Sequence, residues 1–495
     1  MKAVLINPYM TVARDISFLG RYRAWIPPLG LGYLKSYTEK TGRHDVTILD
    51  CIGQGRGRIT KTGDNWRVGL SDGEITDRLK RISPDVVGIS ACFTPHYEDA
   101  LAIARLAKKA LPRAIVVMGG SHATIDYANV IKDEPVDIVV RGDGEETFLE
   151  LLDNMRVGGY RTTKGTVVKA GIDIIVNEIR PPIENLDSIP FPSYEGMNID
   201  YYFGYDETNS FRRLLNEPVG SVMSSRGCHY NCIFCATDKV FKRFRGRTPA
   251  NVVDEVEYLV KKYGVKEIAF HDDCFLASKE RVKGICEEML RRGLKIRWHA
   301  APGMSVWLLD EELLTLMHMS GLYRAALTIE SGCEETLKFI RKKVNLEKAK
   351  EVIRICNRLG IRVGANFIIG FPHETAENIE ETRRYVLNAD LDTVSVLLSQ
   401  PLKGAELFGI YEAEGLMPES GPLLSSSIFK TRYGSKHFTA DQLNAMADSM
   451  RHDFHKRLLR KMMTPAGFFN HVLTKLNTPD KVSYTVKKLL LGLMK

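Results

Sequence analysis

The sequence predicts an α/β protein in three parts: an open parallel sheet of the Rossmann type, a partial (β/α)6 barrel of the TIM type, and a mainly helical C-terminal segment. Short β-rich runs alternate with helical patterns over about the first 155 residues, and six further runs follow from residue 216. Beyond residue 430 the pattern is helical and basic. The 495 residues exceed one ordinary core, and 44% hydrophobic with 26% charged residues is typical of globular chains.

The predicted division is a first domain at 1–155, an ordered connector at 156–215, a barrel domain at 216–430 and a helical basic segment at 431–495. In the first domain the predicted strands are Lys2–Asn7, His44–Asp50, Val86–Ala91, Ala114–Gly120 and Asp137–Gly142. In the barrel they are Val219–Arg226, Glu267–Asp273, Lys295–Ala301, Arg324–Glu330, Arg362–Gly370 and Asp392–Gln400. Ligands of such folds bind at the carboxyl ends of strands, so functional residues are expected there.

The start of the chain and its apolar runs predict a cytoplasmic protein. Met1 leads directly into a strand-like run without the pattern of a signal peptide, and no apolar run reaches the roughly 18 residues of a membrane span. Nine scattered cysteines do not resemble a secreted disulfide framework, which favours reduced thiols with a metal or catalytic use.

The formal charge of +8 is concentrated at the C-terminus. Residues 456–495 hold nine Lys or Arg and one acid, Asp480, so the rest of the chain is balanced and nucleic acid is not expected as a partner. The same stretch interleaves apolar and basic residues. Such a helix either lies on an anionic membrane, at its inner face, or docks on the barrel with its charges in solvent. Both readings stay open at this point.

Three cysteines on one short loop form the sharpest motif: Cys228, Cys232 and Cys235 follow the first barrel strand. Three thiolates can hold three irons of a cubane and leave the fourth iron without a protein ligand. A structural zinc site would require a fourth Cys or His at suitable spacing, and only His229 is local, so the iron–sulfur cluster is favoured. Four other cysteines share no motif and are interpreted as buried small residues: Cys274, Cys286, Cys333 and Cys356.

The spacing C-x3-C-x-aromatic-C, with Phe234 before Cys235, resembles the radical S-adenosylmethionine (SAM) superfamily. The resemblance implies a 4Fe-4S cluster whose open iron is chelated by SAM. It also implies SAM contacts at Phe234 and at three later strand ends, through Asp272, Asp273, Glu330, Ser331, Ile368 and Gly370. Taken singly, acids at strand ends often only cap helices and Gly-Phe-Pro is often only a turn. Their order after the cysteine motif favours the functional interpretation.

The first domain lacks both G-x-G-x-x-G and the Walker pattern, which disfavours a dinucleotide or nucleotide ligand. Its segment from Val86 to Phe148 resembles the cobalamin-binding domain found upstream of many radical SAM enzymes. Small residues at the sheet edge would let the backbone approach the corrin. The residues that the resemblance assigns to cobalamin are Pro8, Leu29, Asp50, Ile52, Ser90, Thr94, Gly119, Gly120, His122, Gly142, Gly144 and Glu145.

One position departs from the pattern of base-displacing cobalamin domains, D-x-H-x-x-G. Asp50 and Gly55 are present, but Ile52 occupies the histidine position, and isoleucine cannot ligate a metal. The sequence therefore predicts cobalamin without a histidine ligand to cobalt. The alternative is a degenerate domain that has lost cobalamin.

Together the two resemblances imply a cobalamin-dependent radical SAM methyltransferase that acts on an unactivated carbon or phosphorus through a 5'-deoxyadenosyl radical and methylcobalamin. The expected partners are a small-molecule or lipid-linked substrate and an electron donor of the flavodoxin or ferredoxin type. Two alternatives stay open: a non-methylating cyclase, oxidoreductase or ring-rearranging enzyme with the same cofactors, and a non-catalytic cobalamin sensor.

Overall fold

A computed structural model describes residues 1–13, 26–203, 218–418 and 429–465. Within these residues the chain forms two compact units. The first contains the described residues up to 203 together with Thr237–Lys242, and the second contains residues 218–236, 243–418 and 429–465. The predicted domain borders at 155, 215 and 430 stay predictions, but the described part of the connector lies within the first unit.

The first unit is built on a seven-stranded sheet with helices on both faces. Its strands are β1 Lys2–Asn7, β2 Met10–Ala13, β3 Asp45–Asp50, β4 Ile59–Thr62, β5 Asn65–Val68, β6 Val86–Ser90, β7 Ile115–Gly119, β8 Ile138–Val140, β9 Thr166–Ala170 and β10 Asp173–Val176. Its helices are α1 Leu29–Glu39, α2 Cys51–Gln54, α3 Asp72–Ile82, α4 Tyr97–Ala110, α5 Ser121–Ile125, α6 Tyr127–Val130, α7 Glu145–Arg156, α8 Ile199–Phe203 and the short α9 Thr237–Val240.

The strand order of this sheet is β10-β9-β8-β7-β6-β1-β3. The five predicted strands are all present and pair in parallel, with β1 flanked by β3 and β6. Ala3 to Ile6 in β1 are all buried, which is the pattern of a strand covered on both faces. The predicted open α/β sheet is therefore confirmed.

Two features of the first unit were not predicted. The connector supplies the hairpin β9–β10, which adds to β8 in antiparallel orientation. A separate antiparallel sheet, β2-β5-β4, covers Ile52 with Val12 and Val68. Its strands have four residues each, too short to show a period in the sequence.

The second unit carries the six predicted parallel strands in two groups of three. Its strands are β11 Val219–Val222, β12 Ser225–Arg226, β13 Arg245–Gly246, β14 Glu267–Phe270, β15 Arg297–Ala300, β16 Arg324–Glu330, β17 Arg362–Ile369 and β18 Thr393–Leu398. Its helices are α10 Pro249–Tyr263, α11 Lys279–Arg291, α12 Glu311–Met319, α13 Glu334–Phe339, α14 Leu346–Arg358, α15 Ala376–Asn388, α16 Glu406–Ala413 and α17 Ala440–Met462.

The sheets β11-β14-β15 and β16-β17-β18 are parallel throughout and are linked by isolated bridges between Trp298 and Leu322 and between Met304 and Leu327. Helices follow the strands as a β/α barrel requires, so the predicted partial barrel is confirmed. The first predicted run, Val219–Arg226, is divided into β11 and β12, and β12 pairs with β13 in antiparallel orientation.

The last described helix, α17, begins at a capping box formed by Thr439 and Gln442 and packs against β18. Its buried side chains follow a helical spacing: Leu443, Ala447, Met450 and Phe454. This part of the C-terminal segment therefore docks on the barrel. Residues 466–495, which hold most of the predicted amphipathic tail, lie outside the described residues. Across the described ranges, no helix combines the length and the apolarity that spanning a bilayer demands.

Candidate active site

The three cysteines of the motif lie on the loop 227–236, called the cluster loop below. Cys228, Cys232 and Cys235 are half-buried and form no disulfide. Ile233 fixes the loop to the barrel: its N–H donates to the Ile340 carbonyl at 3.3 Å, and its carbonyl accepts from the Leu407 N–H at 2.8 Å. The loop thus holds three free thiols on an anchored backbone.

The acids at the end of β14 hold the start of the cluster loop. Both backbone N–H groups of Ser224 and Ser225 donate to Asp272 Oδ1 at 2.6 Å, and Ser224 Oγ donates to Asp272 Oδ2 at 2.6 Å. The Gly227 N–H donates to Asp273 Oδ2 at 3.0 Å. The Arg281 guanidinium donates to the Ser224 carbonyl and hydroxyl. Two carboxylates and one guanidinium therefore set the path of the chain into Cys228.

Burial raises the pKa of both carboxyl groups, although the hydrogen bonds from the loop and, for Asp272, the charge of Arg281 oppose this shift. Asp272 is fully buried with both oxygens occupied by Ser224 and Ser225. Its predicted contact with SAM stays a prediction. In the structure, Asp272 accepts hydrogen bonds from the backbone that leads into the cluster loop and so holds this loop in place.

Cys274 lies beside the motif. It is buried, as interpreted from the sequence, but its thiol forms a hydrogen bond with Cys228 that the sequence did not indicate. This bond lowers the pKa of Cys228 to about 7, whereas burial raises the pKa of Cys232 to about 11. Cys286, Cys333 and Cys356 are buried as expected.

Glu330, at the end of β16, is buried and has a positive φ of 71° after a register shift in the strand pairing. Lys342 Nζ lies 3.2 Å from Glu330 Oε1 and 3.4 Å from Thr328 Oγ1. Burial raises the pKa of Glu330; burial alone would lower the pKa of Lys342, but the charges of Glu330 and Cys232 outweigh it and raise that pKa. A non-glycine residue with this backbone conformation is typical of functional sites.

Ser331 and the end of β17 form tight turns. Ser331 Oγ shares a hydrogen bond of 2.9 Å with Thr382 Oγ1 and accepts from the Cys333 N–H. Gly370 has a positive φ of 87°, which glycine adopts without strain. Its N–H and that of Phe371 both donate to the buried carboxylate of Glu374. Phe234 of the cluster loop lies with its ring centroid 6.2 Å from that of Phe371, which places the loop next to this turn.

One row of polar side chains in the barrel was missed in the sequence. Thr328, Asn366 and Ser395 are in register across β16, β17 and β18, so they lie on one face of the sheet, and all three are half-buried. Ile368 follows on the same face and is also half-buried. Each of these strands contains a polar residue among apolar ones, and that could be seen in the sequence. That the three polar residues are neighbours follows only from the register of the strands.

In the first unit, the candidate residues Asp50, Ser90 and Gly119 end β3, β6 and β7. Pro8 follows β1 directly, and Gly142 lies two residues after the end of β8. Parallel strands place these ends at one edge of the sheet. Other candidates lie at the starts of the following helices: Leu29 begins α1, Glu145 begins α7 after Gly144, Gly120 precedes α5, and Thr94 lies in a 3-10 turn before α4.

At this edge Thr94 Oγ1 lies 3.1 Å from Nδ1 of His122, whose ring also packs on Tyr97. His122 is buried, so its packing role is evident from these contacts. Gly120 has a φ of 109°, and a Cβ there would lie 2.9 Å from the Ala91 backbone. The exposed Phe93, between Ser90 and Thr94, is an apolar side chain at the edge that sequence reasoning missed.

Asp50 is buried, and its Oδ1 accepts from Asn7 Nδ2 at 2.9 Å and from the Tyr202 hydroxyl at 3.0 Å. Burial raises its pKa despite these hydrogen bonds. A Cβ at Gly53 would overlap the Asp50 carboxylate, so glycine is required there. Ile52 packs with Val12 and Val68 and offers no metal ligand.

These residues fit the implied cofactors. The glycines and short side chains leave the sheet edge of the first unit open to a planar ring, and free thiols are available on the cluster loop. Throughout the described ranges, no three His, Cys, Asp or Glu side chains converge on one point as a single metal ion requires. A cubane differs in that each thiolate binds a separate iron.

Comparison with known proteins gives the family. The model of the radical SAM superfamily matches residues 222–386, and the model of the B12 binding domain matches residues 19–152. An uncharacterized methyltransferase of Pyrococcus horikoshii is 32% identical over 450 residues, covering 89% of this chain and 91% of the relative.

Relatives with named activities include a methyltransferase and a cyclase. Cytidylyl-2-hydroxyethylphosphonate methyltransferase of Streptomyces wedmorensis is 32% identical, covering 82% of this chain and 80% of the relative. Anaerobic magnesium-protoporphyrin IX monomethyl ester cyclase of Rubrivivax gelatinosus is 29% identical, covering 77% and 66%. Both names refer to small-molecule substrates.

Among solved structures, the radical SAM methyltransferase TsrM of Kitasatospora setae, solved with cobalamin and a [4Fe-4S] cluster, has a TM-score of 0.70 at 17% identity and covers 95% of this chain and 92% of its own. It shows a shared fold. The chain therefore belongs to the radical SAM superfamily, within its group that carries a B12-binding domain. The prediction of a cobalamin-dependent radical SAM enzyme is confirmed, as is that of its three cofactors, and the relatives include methyltransferases.

Proposed function

We propose that this enzyme transfers a methyl group from SAM, by way of cobalamin, to an unactivated carbon or phosphorus of a small molecule. The observation that carries the proposal is the set of three free thiols on the anchored cluster loop, in a chain that also carries the B12-binding domain. When bound, the cluster supplies one electron to SAM, and cobalamin supplies a methyl group. The protein's task is to position these groups and the substrate.

In the second unit, Cys228, Cys232 and Cys235 would hold the cluster, while Asp272 and Asp273 hold the loop in place. Phe234, Asp273, Glu330, Ser331, Ile368 and Gly370 would surround SAM, with Asp272 acting through Ser224 and Ser225. The half-buried Lys342 offsets the charge of Glu330 beside this region. The polar row Thr328, Asn366 and Ser395 provides hydrogen-bonding groups for a polar substrate on the same sheet.

In the first unit, the twelve edge residues would hold cobalamin, with Gly119 and Gly120 leaving room for the ring. Because Ile52 is part of an apolar cluster, we propose that cobalt receives no histidine from this position. Tyr202 and Asn7 hold Asp50 at the end of β3, so this carboxylate is oriented before any ligand binds.

The test is an anaerobic assay with SAM that carries a deuterated methyl group, using extracts and phosphonate or nucleotide-linked candidates as substrates. The proposal expects a product that is heavier by one labelled methyl group, and Cys232→Ala should form none. A product without the label, formed at a rate that depends on Cys232, would refute methyl transfer while leaving the radical chemistry intact.

The second candidate function is a cyclase or other oxidative rearrangement without net methylation, which the cyclase relative of Rubrivivax gelatinosus favours. The mass of the product separates the two. A loss of hydrogen or an added oxygen without a methyl group would select the second candidate.

Three further points belong to the proposal. The electron donor would be a flavodoxin or ferredoxin type protein. If the substrate is lipid-linked, the tail would contact the inner face of the membrane and keep the enzyme next to its substrate. The basic composition of residues 456–495 supports this contact, and binding of the full chain to anionic vesicles would test it.

A further inference from the structure

The cluster loop is fixed at both ends, but its middle is held in another way. Two carboxylates hold the backbone at its start, and the backbone of Ile233 holds its end. In the part of the chain that the structure describes, residues 229–231 form no backbone hydrogen bond with the barrel. These three residues separate Cys228 from Cys232, so their conformation sets the distance between two of the three thiols.

Of these three residues, Tyr230 is the one that turns toward the barrel. His229 and Asn231 are exposed, whereas Tyr230 is half-buried. Its hydroxyl accepts a hydrogen bond from the Trp307 indole N–H, and the two ring centroids lie 6.4 Å apart in an edge-to-face arrangement. Ser305 also forms a hydrogen bond with Tyr230. Within the described ranges, the hydrogen bonds that tie the middle of the loop to the barrel thus all involve the Tyr230 side chain.

The segment that carries Trp307 is itself anchored. It is a 3-10 turn, Val306–Leu308, which follows β15 in the chain. Two backbone hydrogen bonds of 2.7 and 3.1 Å join Met304, just before the turn, to β16. Val306 and Leu309 are buried. Because Trp307 is placed on a fixed backbone, its contact with Tyr230 can restrain the cluster loop.

Packing in the core does not account for Trp307. Its side chain is 52% exposed, although tryptophan is on average one of the more buried residue types. Trp298, on the preceding strand, is by contrast fully buried against Phe270 and Phe275. The contribution of Trp307 therefore lies in its contact with the loop and not in the apolar area that it buries.

We propose that Trp307 is a positioning residue for the iron–sulfur cluster. Through Tyr230 it fixes the span between Cys228 and Cys232, and so keeps these two thiols at the separation that a cubane requires. Ligands that are held in place before the metal binds lose less conformational freedom on binding, and the groups that orient metal ligands commonly change metal affinity by a factor of about 10 to 100. The inference rests on the proposed function, since it requires the cluster on these thiols.

The test measures how fast the reconstituted cluster loses iron to an excess of a ferrous chelator under anaerobic conditions. Trp307→Phe removes the indole N–H but keeps a ring, Tyr230→Phe removes the hydroxyl, and a double variant combines both changes. Trp307→Ala removes the N–H and the ring. The matched control is Met319→Ala, which shortens another exposed apolar side chain at the end of α12. Urea unfolding of each protein without iron detects general destabilisation.

Iron leaves the cluster when the loop opens, so the rate of loss should follow the opening equilibrium. We expect roughly fivefold faster loss for Trp307→Phe and for Tyr230→Phe, since one hydrogen bond is worth about a factor of five in an equilibrium. Trp307→Ala should lose iron at least about tenfold faster, because the edge-to-face contact is lost as well. The double variant should be no faster than Tyr230→Phe alone, because both changes break the same contact.

Two further readouts separate positioning from a general effect on folding. The g-values of the reduced cluster, which respond to the geometry of its ligands, should shift in Tyr230→Phe and Trp307→Ala and stay unchanged in Met319→Ala. The urea midpoints of all variants should match that of the wild type, since Trp307 adds little to the core.

Iron loss at the wild-type rate in Trp307→Ala would overturn the inference. So would a double variant in which the factors of the two single changes multiply, because the two side chains would then act independently. Equal acceleration in Met319→Ala, or a lowered urea midpoint in the Trp307 variants, would assign the effect to general destabilisation and would also contradict it. Failure of the proposed function looks different, because then the wild type itself would take up no iron.

Discussion

At the scale of single residues, the site depends on carboxylates that hold backbone rather than ligand. Asp272 and Asp273 accept hydrogen bonds from Ser224, Ser225 and Gly227, and Glu374 accepts from Gly370 and Phe371. Asp272 and Glu374 are buried, so that a missing acceptor at either position would leave unsatisfied N–H groups in the interior. The carboxylates near the cluster loop and after β17 thus stabilise the backbone of the motifs to which they belong.

Asp272→Ala should destabilise the protein and weaken cluster binding, because it removes three hydrogen bonds and the carboxylate on which the charge of Arg281 acts. We expect a loss of about 3 kcal/mol or more in the free energy of unfolding. Denaturant unfolding and the iron content after anaerobic reconstitution measure the two effects. Asp254→Ala on the exposed face of α10 is the control, and equal behaviour of the two variants would contradict this role of Asp272.

Glu374 predicts a pH dependence of stability. Burial raises its pKa to about 7, so between the ordinary value of 4.5 and 7 the folded state keeps a proton that the unfolded state has lost. The contribution of Glu374 to the free energy of unfolding is therefore complete below pH 4.5 and is lost as the pH rises through 7. Glu374→Gln should gain roughly 2 kcal/mol relative to the wild type between pH 5.5 and pH 8, since each pKa unit is worth about 1.4 kcal/mol.

Unfolding free energies of the wild type and Glu374→Gln at both pH values check this expectation. The glutamine oxygen can still accept from Gly370 and Phe371, so the fold should be retained. Glu377→Gln, on the exposed face of α15, should not change with pH relative to the wild type. A constant difference between Glu374→Gln and the wild type would argue against the raised pKa.

At the scale of elements, the parallel strands and the cysteine motif were readable from the sequence because each is encoded locally. β1 and β16 were predicted with the bounds that they have, since buried apolar runs followed by loop formers are local signals. The contacts that depend on strand register or on residues distant in the sequence were not predicted. The polar row Thr328, Asn366 and Ser395 requires the register, and the contact of Tyr202 with Asp50 joins residues 152 positions apart.

The helix α8 shows what the connector does for the first unit. It places the buried Tyr202 hydroxyl on Asp50 at the end of β3. Tyr202→Phe should cost about 1 to 2 kcal/mol of unfolding free energy, because a buried carboxylate loses one of its donors. Tyr160→Phe, a half-buried tyrosine of the same unit, is the control. Thermal and urea unfolding measure both, and an unchanged stability of Tyr202→Phe would count against this support.

At the scale of the whole molecule, two compact units carry the two cofactor functions that the family requires. The assignment of the class followed from a few residues, because the spacing of Cys228, Cys232 and Cys235 and the loop-forming strand ends are specific. Substrate recognition does not have such a motif. It depends on which side chains the fold gathers at the barrel, and these come from distant parts of the sequence.

The most direct measurement is the iron content of anaerobically reconstituted protein, together with its spectrum after one-electron reduction. The wild type should bind about four irons per chain, and Cys228→Ala, Cys232→Ala and Cys235→Ala should each lose most of them, while Cys286→Ala, which changes a buried cysteine away from the loop, keeps them. Wild-type protein that takes up no iron, or Cys232→Ala that retains a full complement, would contradict the account.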